Sequence, residues 1–410
     1  MTTPLSGSAT GVAAPLADVP LADHTTLRLG GPAAGFIEAK TSAEVIEAVT
    51  AADASATPVL VLGGGSNLVV SDDGFPGIVV RIATRGRRFE RVSAGGVGEG
   101  DRAGGAGEGN RAGGAGEGDR AGEGNRAGEH SGPGGARAVE LVVEAGEDWD
   151  DVVADVVARG LSGLECLSGI PGRVGAVPVQ NVGAYGVEVS ELLTSVDLLD
   201  RRTGESRTVP AAELGLAYRT SVLKGQDDAV VLRARFLLHE DAESRPIRYA
   251  ELARTLGVEV GARAPIVEVR RAVLGLRAGK GMVLDPTDPD TWSAGSFFTN
   301  PLVAGADLPA VLAVIAAEVG ADVPVPQYPA GEDQVKLSAA WLIERAGFHK
   351  GHAGPSGRVA LSGKHTLALT NRGGAATEEL LALAREVRDG VETAFGIELH
   401  PEPVLVNCAL

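Results

Sequence analysis

The sequence predicts a mixed α+β fold built as more than one unit, and three observations carry that expectation. At 410 residues the chain is long enough to enclose two or three cores. Segments with apolar residues at helical spacing alternate with short β-branched runs bounded by glycine and polar turns. Two glycine-rich stretches adjoin such runs, at places where a chain must turn tightly or approach something closely.

The elements follow in order. "VLVLGGGSNLVVSDDGFPGIVV" (59–80) is an apolar strand, three glycines, Ser66 and Asn67, and then a second apolar run. "RRFERVSA" and "AVELVVEAG" read as two strands, the second over 139–145. Between them, residues 93–137 hold 18 glycines in 45 positions and one large apolar residue, Val97. The unit G-E-G-[D/N]-R-A-G begins at 98, 107, 116 and 122. Such a stretch cannot bury enough surface to repay its ordering entropy, and it has no apolar face to stack as a solenoid. It is expected to be a disordered insert on a hairpin tip, where loop closure makes long insertions cheap. A partner-binding tether is the other reading. Residues 148–159 put Trp149, Val152, Val153, Val156 and Val157 on one helical face, with acids ahead and Gly160 behind. Residues 377–395 repeat the pattern, with Thr377 as N-cap and Leu380, Leu383, Val387 and Val391 in line. The tail "PVLVNCAL" reads as a strand.

Composition narrows the function. Apolar residues make up 44% and charged residues 22%, the balance of a soluble protein. No run approaches the ~18 apolar residues of a membrane span. The N-terminal stretch has no basic residue ahead of its first apolar run, unlike a secretory signal. Cys166 and Cys408 are too few for a disulfide framework or a cysteine zinc site, which suits a reducing cytoplasm; no metal is expected. The net charge of −17 argues against a nucleic-acid partner but leaves room for a small anion in a locally positive pocket.

The glycines carry the first chemical signal. A strand entering Gly63, Gly64 and Gly65 exposes backbone N–H groups that can cradle a phosphate, and Ser66 and Asn67 add side-chain donors. The pattern is neither G-x-G-x-x-G nor a P-loop, and a tight strand-to-strand turn explains it equally well. "GLECLSGIPGRVGAVPVQNVGAYG" (163–186) mixes glycines with Pro171, Pro178, Gln180, Asn181 and Tyr185. It suggests backbone wrapped around a flat polar ligand, or a turned corner of the core. "AYRTSVLKG" (217–225), "SAGSFFTNP" (293–301), "KLSAAWLIERAGFHKG" (336–351) and the final "PEP" complete a series. Together these stretches resemble the UDP-N-acetylenolpyruvoylglucosamine reductase family, from "HTTLRLGGPA" (24–33) to "HPEPVLV" (400–406), the repeats excepted.

The resemblance implies an FAD-binding two-subdomain fold of the vanillyl-alcohol-oxidase/PCMH type with a C-terminal α+β substrate domain. The implied parts are 1–83, 84–235 and 236–395, with a strand at about 396–410 returning to the core. It implies FAD at Gly63, Gly64, Gly65, Ser66 and Asn67, with Gln180, Asn181, Gly183, Ala184 and Tyr185 alongside. Ser66 stands where oxidases with covalent flavin carry His, so attachment is expected to be non-covalent. NADPH would be the hydride donor, and the UDP-sugar enol ether would become UDP-N-acetylmuramate for peptidoglycan. A cytoplasmic monomer is expected.

In that reaction, hydride delivered to the terminal carbon leaves negative charge on its neighbour, spread into the carboxylate. Arg219 would grip the carboxylate bidentately; taken alone, a surface ion pair is the commoner use of an arginine. Ser296 would protonate carbon, or else merely close a turn. Glu402, fixed between Pro401 and Pro403, would orient or share that proton, or else be an exposed terminal acid. Tyr218, Tyr249, Lys280 and Asn300 would bind the substrate, Tyr249 from the tyrosine-bearing loop of one subclass or else as ordinary helix packing. His400 and Pro403 depart from the family pattern. Two alternatives remain: another flavoenzyme of this fold, and a non-catalytic nucleotide-sugar-binding protein.

Overall fold

The computed structural model of the chain describes residues 14–92, 137–330 and 333–410. In the first sheet, Phe75–Ile82 runs parallel between Pro32–Ala39 and Val59–Leu62. The helix Ser42–Ala54 makes the crossover, with Val45, Ala48, Val49 and Ala52 buried and the Thr41 hydroxyl accepting from Glu44 N at 3.2 Å. Neighbouring Val79 and Val80 on the central strand are both buried, so the strand is covered on both faces.

The second sheet is antiparallel, in the order Ser206–Pro210, Leu193–Asp200, Ala229–Glu240, Ala138–Glu144, Arg87–Arg91. The expected hairpin is there: pairing runs from Arg87 with Val143 to Arg91 with Val139. The repeats between its strands, and the expectation of disorder attached to them, lie outside the described residues. The helix Trp149–Ala158 buries all five expected apolar residues. Its Trp149 ring meets Phe236 at 5.8 Å between centroids, and Trp149 Nε1 donates to the Leu167 carbonyl at 3.0 Å. Ile247, Leu252, Ile266, Val269 and Val273 join this same core, which sets the helix Ile266–Gly279 against it.

A further core gathers residues from Ala294 to Leu399 around the helix Thr377–Phe395, and takes in Leu27, Leu29 and Val69 from the first unit. That helix has the expected span but a different cap. The N-cap residue is Ala376, and Thr377 is already helical. The Thr377 hydroxyl donates to the Val70 carbonyl at 2.7 Å, while Asp72 accepts from the N–H groups of Thr377 and Glu378 at 2.7 and 3.1 Å. A remote carboxylate does what the local hydroxyl was expected to do. The tail strand covers Val404–Val406 and pairs parallel with Leu68–Val70, directly after the glycine turn.

Candidate active site between two glycine-rich loops

The two glycine-rich stretches pack against each other, and both line a cavity of about 660 Å³. Gly65 adopts φ +62, and a Cβ there would lie 1.9 Å from the His24 carbonyl oxygen. A Cβ on Gly64 would lie 2.7 Å from Gly172 Cα, whereas one on Gly63 would make an ordinary 3.5 Å contact with Arg173 Cβ. Backbone, then, approaches two of the three glycines. The side chains beside them hold the loops together. Ser66 Oγ donates to the Pro171 carbonyl at 3.0 Å, and Asn67 Nδ2 donates to Gln180 Oε1 at 3.0 Å. The backbone N–H groups of Gly63, Gly64, Gly65, Ser66 and Asn67 find no acceptor among the described residues, and all five residues line the cavity. A row of free donors of this kind is what a phosphate requires.

Beside the glycine turn Arg219, Ser296 and Glu402 also line the cavity, and Asn67 Nδ2 donates to the Glu402 carbonyl at 3.5 Å. Arg219 Nε lies 3.3 Å from Glu402 Oε1. The Glu402 N–H donates to the carbonyl of Phe297, the residue after Ser296, at 2.9 Å, and Thr299 N donates to the His400 carbonyl at 3.0 Å. These bonds fix the segment carrying His400 and Pro403 beside Ser296. Burial raises the pKa of the Glu402 carboxyl, opposed by the charges of Arg219 and Lys224.

Gln180 and Gly183 also line the cavity. Asn181 is fully buried: Nδ2 donates to Glu188 and to the Ala217 carbonyl at 2.8 and 3.1 Å, and Oδ1 accepts from Ser190 N at 3.0 Å. Ala184 and Tyr185 stand outside the lining, and the Tyr185 ring meets Tyr249 edge-on at 5.4 Å. Burial pushes the Tyr185 hydroxyl up to about 12. Lys280 pairs with Glu251 at 2.6 Å. Asn300 Oδ1 accepts from Ala339 N at 2.9 Å, and the Tyr218 ring lies 4.1 Å beneath Lys336 Nζ.

Sequence reading passed over Lys224, which lies within the quoted 217–225 stretch, and Arg277, three residues before Lys280; both line the cavity. Arg277 is enclosed, with one donor on the Met282 carbonyl at 3.0 Å and its Nε without a partner. Asp150, the carboxylate whose charge acts on it, is held bidentately by Arg270 at 2.6 and 2.9 Å. A buried cation with an unpaired donor and, among the described residues, no carboxylate hydrogen-bonded to it is costly, and a bound anion would offset that cost. Among the described residues no helix is long and apolar enough to cross a membrane.

A glycine turn with free N–H donors, leading to a cationic pocket between two sheets, makes this an α+β fold with a site suited to the phosphates of a nucleotide. Residues 33–96 and 136–209 match the FAD binding domain family, and residues 285–406 match the C-terminal domain of UDP-N-acetylenolpyruvoylglucosamine reductase. A curated protein of that name from Saccharopolyspora erythraea is 61% identical over 398 residues, 97% of each chain. One from Nocardia farcinica is 53% identical over 392 residues, 96% of this chain and 90% of its own. The solved enzyme from Thermus caldophilus shares the fold at a TM-score of 0.56 and 24% identity, covering 96% of this chain and all of that one. The chain belongs to the UDP-N-acetylenolpyruvoylglucosamine reductase family.

Proposed function

We propose that the cavity is where this chain reduces the enolpyruvyl ether of UDP-N-acetylenolpyruvoylglucosamine to UDP-N-acetylmuramate, a step in peptidoglycan synthesis, with NADPH as the source of electrons. Bound FAD would supply the electron relay between NADPH and the enol ether. The free N–H groups from Gly63 to Asn67 would hold its pyrophosphate, with Gln180 and Gly183 further along. Asn181, Ala184 and Tyr185 would support that wall from behind.

The observation that carries this reading is the meeting of Arg219, Ser296 and Glu402 on one wall. The Arg219 guanidinium would take the carboxylate on which charge develops. Ser296 Oγ would give its proton to the carbon next to that carboxylate, which is basic enough at that moment to accept it. Glu402, its pKa raised by burial, would orient Ser296 and share the proton. Tyr218, Asn300, Lys280 and Tyr249 would bind the UDP-sugar, with Lys280 exchanging Glu251 for phosphate. The division at residues 83 and 235, a monomeric state and a cytoplasmic location with consequences for cell shape and division belong to the same proposal.

Ser296→Ala tests it. Reduction of the flavin by NADPH places no proton on carbon, so its rate should stay near wild type. Reoxidation by the enol ether should slow by roughly 10²–10⁴-fold, the usual worth of a positioned acid. Stopped-flow flavin absorbance reads each half separately. Wild-type reoxidation would remove Ser296 from the role of donor.

A further inference from the structure

Arg219 sits at φ +54, in the left-handed region that residues with a Cβ rarely adopt. It occupies a turn in which Ala217 and Thr220 exchange backbone hydrogen bonds at 3.1 and 3.2 Å. Such a conformation persists only where its surroundings over-determine it. One restraint is Ser221, buried next to the turn, whose Oγ donates to the Val179 carbonyl at 2.6 Å. The other is Lys224, whose Nζ donates to the carbonyl of Arg219 itself at 2.9 Å. Lys224 lines the cavity and forms no ion pair with a carboxylate among the described residues. A lysine whose ammonium is committed to a main-chain carbonyl, on the wall of a cavity, is placed to fix geometry.

We propose that Lys224 is a positioning residue for the reduction: its ammonium holds the strained Arg219 backbone so that the guanidinium meets both Glu402 and the substrate carboxylate. This rests on the roles given above to Arg219 and Glu402. The hydrogen bond is charge-assisted, stronger than a neutral one. Lys224 also presents the second positive charge facing Glu402, after Arg219, and the Tyr218 hydroxyl stands near the same carboxyl.

The test compares Lys224→Met, Lys224→Gln and Lys224→Arg in the FAD-loaded protein, by single-turnover reoxidation across pH, alongside Arg219→Lys. Lys224→Met should slow reoxidation roughly tenfold to a hundredfold, the scale of one lost hydrogen bond to a charged group. Flavin affinity and reduction by NADPH should be unchanged. Its pH inflection should move upward, because removing a cation leaves burial less opposed at Glu402, whichever protonation state of that carboxyl is the working one. Lys224→Gln should recover part of the rate without moving the inflection back, and Lys224→Arg should recover both. If Lys224→Met does not accumulate as folded protein, the Gln and Arg variants carry the comparison. Wild-type reoxidation with an unmoved inflection would overturn the proposal. So would loss of FAD affinity, which would make Lys224 a cofactor ligand. If Arg219→Lys is slow and the Lys224 variants are not, only this inference fails. If Arg219→Lys reoxidises normally, the reading of Arg219 falls and takes the inference with it.

Discussion

The three consecutive glycines do different work. At Gly65, φ +62 and the His24 carbonyl 1.9 Å from a would-be Cβ forbid any side chain. Gly65→Ala should therefore lower the thermal midpoint of the flavin-free protein, by the ~1–2 kcal/mol of a left-handed L-residue and more for the collision. Gly63 is the residue that probes the ligand. Its Cβ would make only ordinary contacts, with Arg173 Cβ and Cγ at 3.5 and 3.6 Å and Ala176 Cβ at 3.9 Å, so Gly63→Ala should leave the flavin-free midpoint unchanged while weakening FAD. Titration of stripped protein with FAD decides this: wild-type affinity in Gly63→Ala would move the pyrophosphate elsewhere. The presence of the glycines was legible in the sequence. The reason for each was not, because His24 and Gly172 become neighbours only through the fold. For the same reason the hydrogen bonds by which Ser66 and Asn67 tie their turn to the opposite loop could not be read from the sequence.

Elements were legible where their apolar period is long. Leu380, Leu383, Val387 and Val391 are all buried. Each contributes about 1.5–3 kcal/mol, so the face alone outweighs any cap and decides that the helix exists. Its first residue was misread because a cap is worth only ~1 kcal/mol and can be supplied from anywhere in the chain. The supplier is Asp72, next to the strand Leu68–Val70. Asp72→Ala should cost about 0.5–2 kcal/mol of stability, because two N–H groups at a positive helix end lose their carboxylate. A denaturant midpoint measures it, and an unchanged value would mean that water replaces Asp72 without loss.

At the scale of the whole molecule the site is assembled from distant stretches. The parallel pairing of Val404–Val406 with Leu68–Val70 carries Glu402 to the glycine loop, and Val404 N donates to the Asn67 carbonyl at 2.9 Å. No local pattern specifies that partner; only the ordered resemblance to a family indicated it. The repeats pose the opposite problem, an abundant pattern that lies outside the described residues. The strands flanking them pair as far as Arg91 with Val139, and Val92 N then donates to the Ala138 carbonyl at 3.0 Å. Register is thus set by residues outside the repeats, and among the described residues Arg87–Arg91 is an edge strand that gives the cavity none of its lining. Replacing residues 94–136 by a short glycine-rich turn should therefore leave flavin content and turnover within about twofold, less than ~0.5 kcal/mol in the barrier. Stability should change little or rise slightly, since closure entropy grows only slowly with loop length. Flavin absorbance per chain and steady-state turnover of the shortened protein are the measurements. A pale or aggregating product would show that the repeats pack against the folded units, and normal flavin content with slow turnover would show that they steer a ligand.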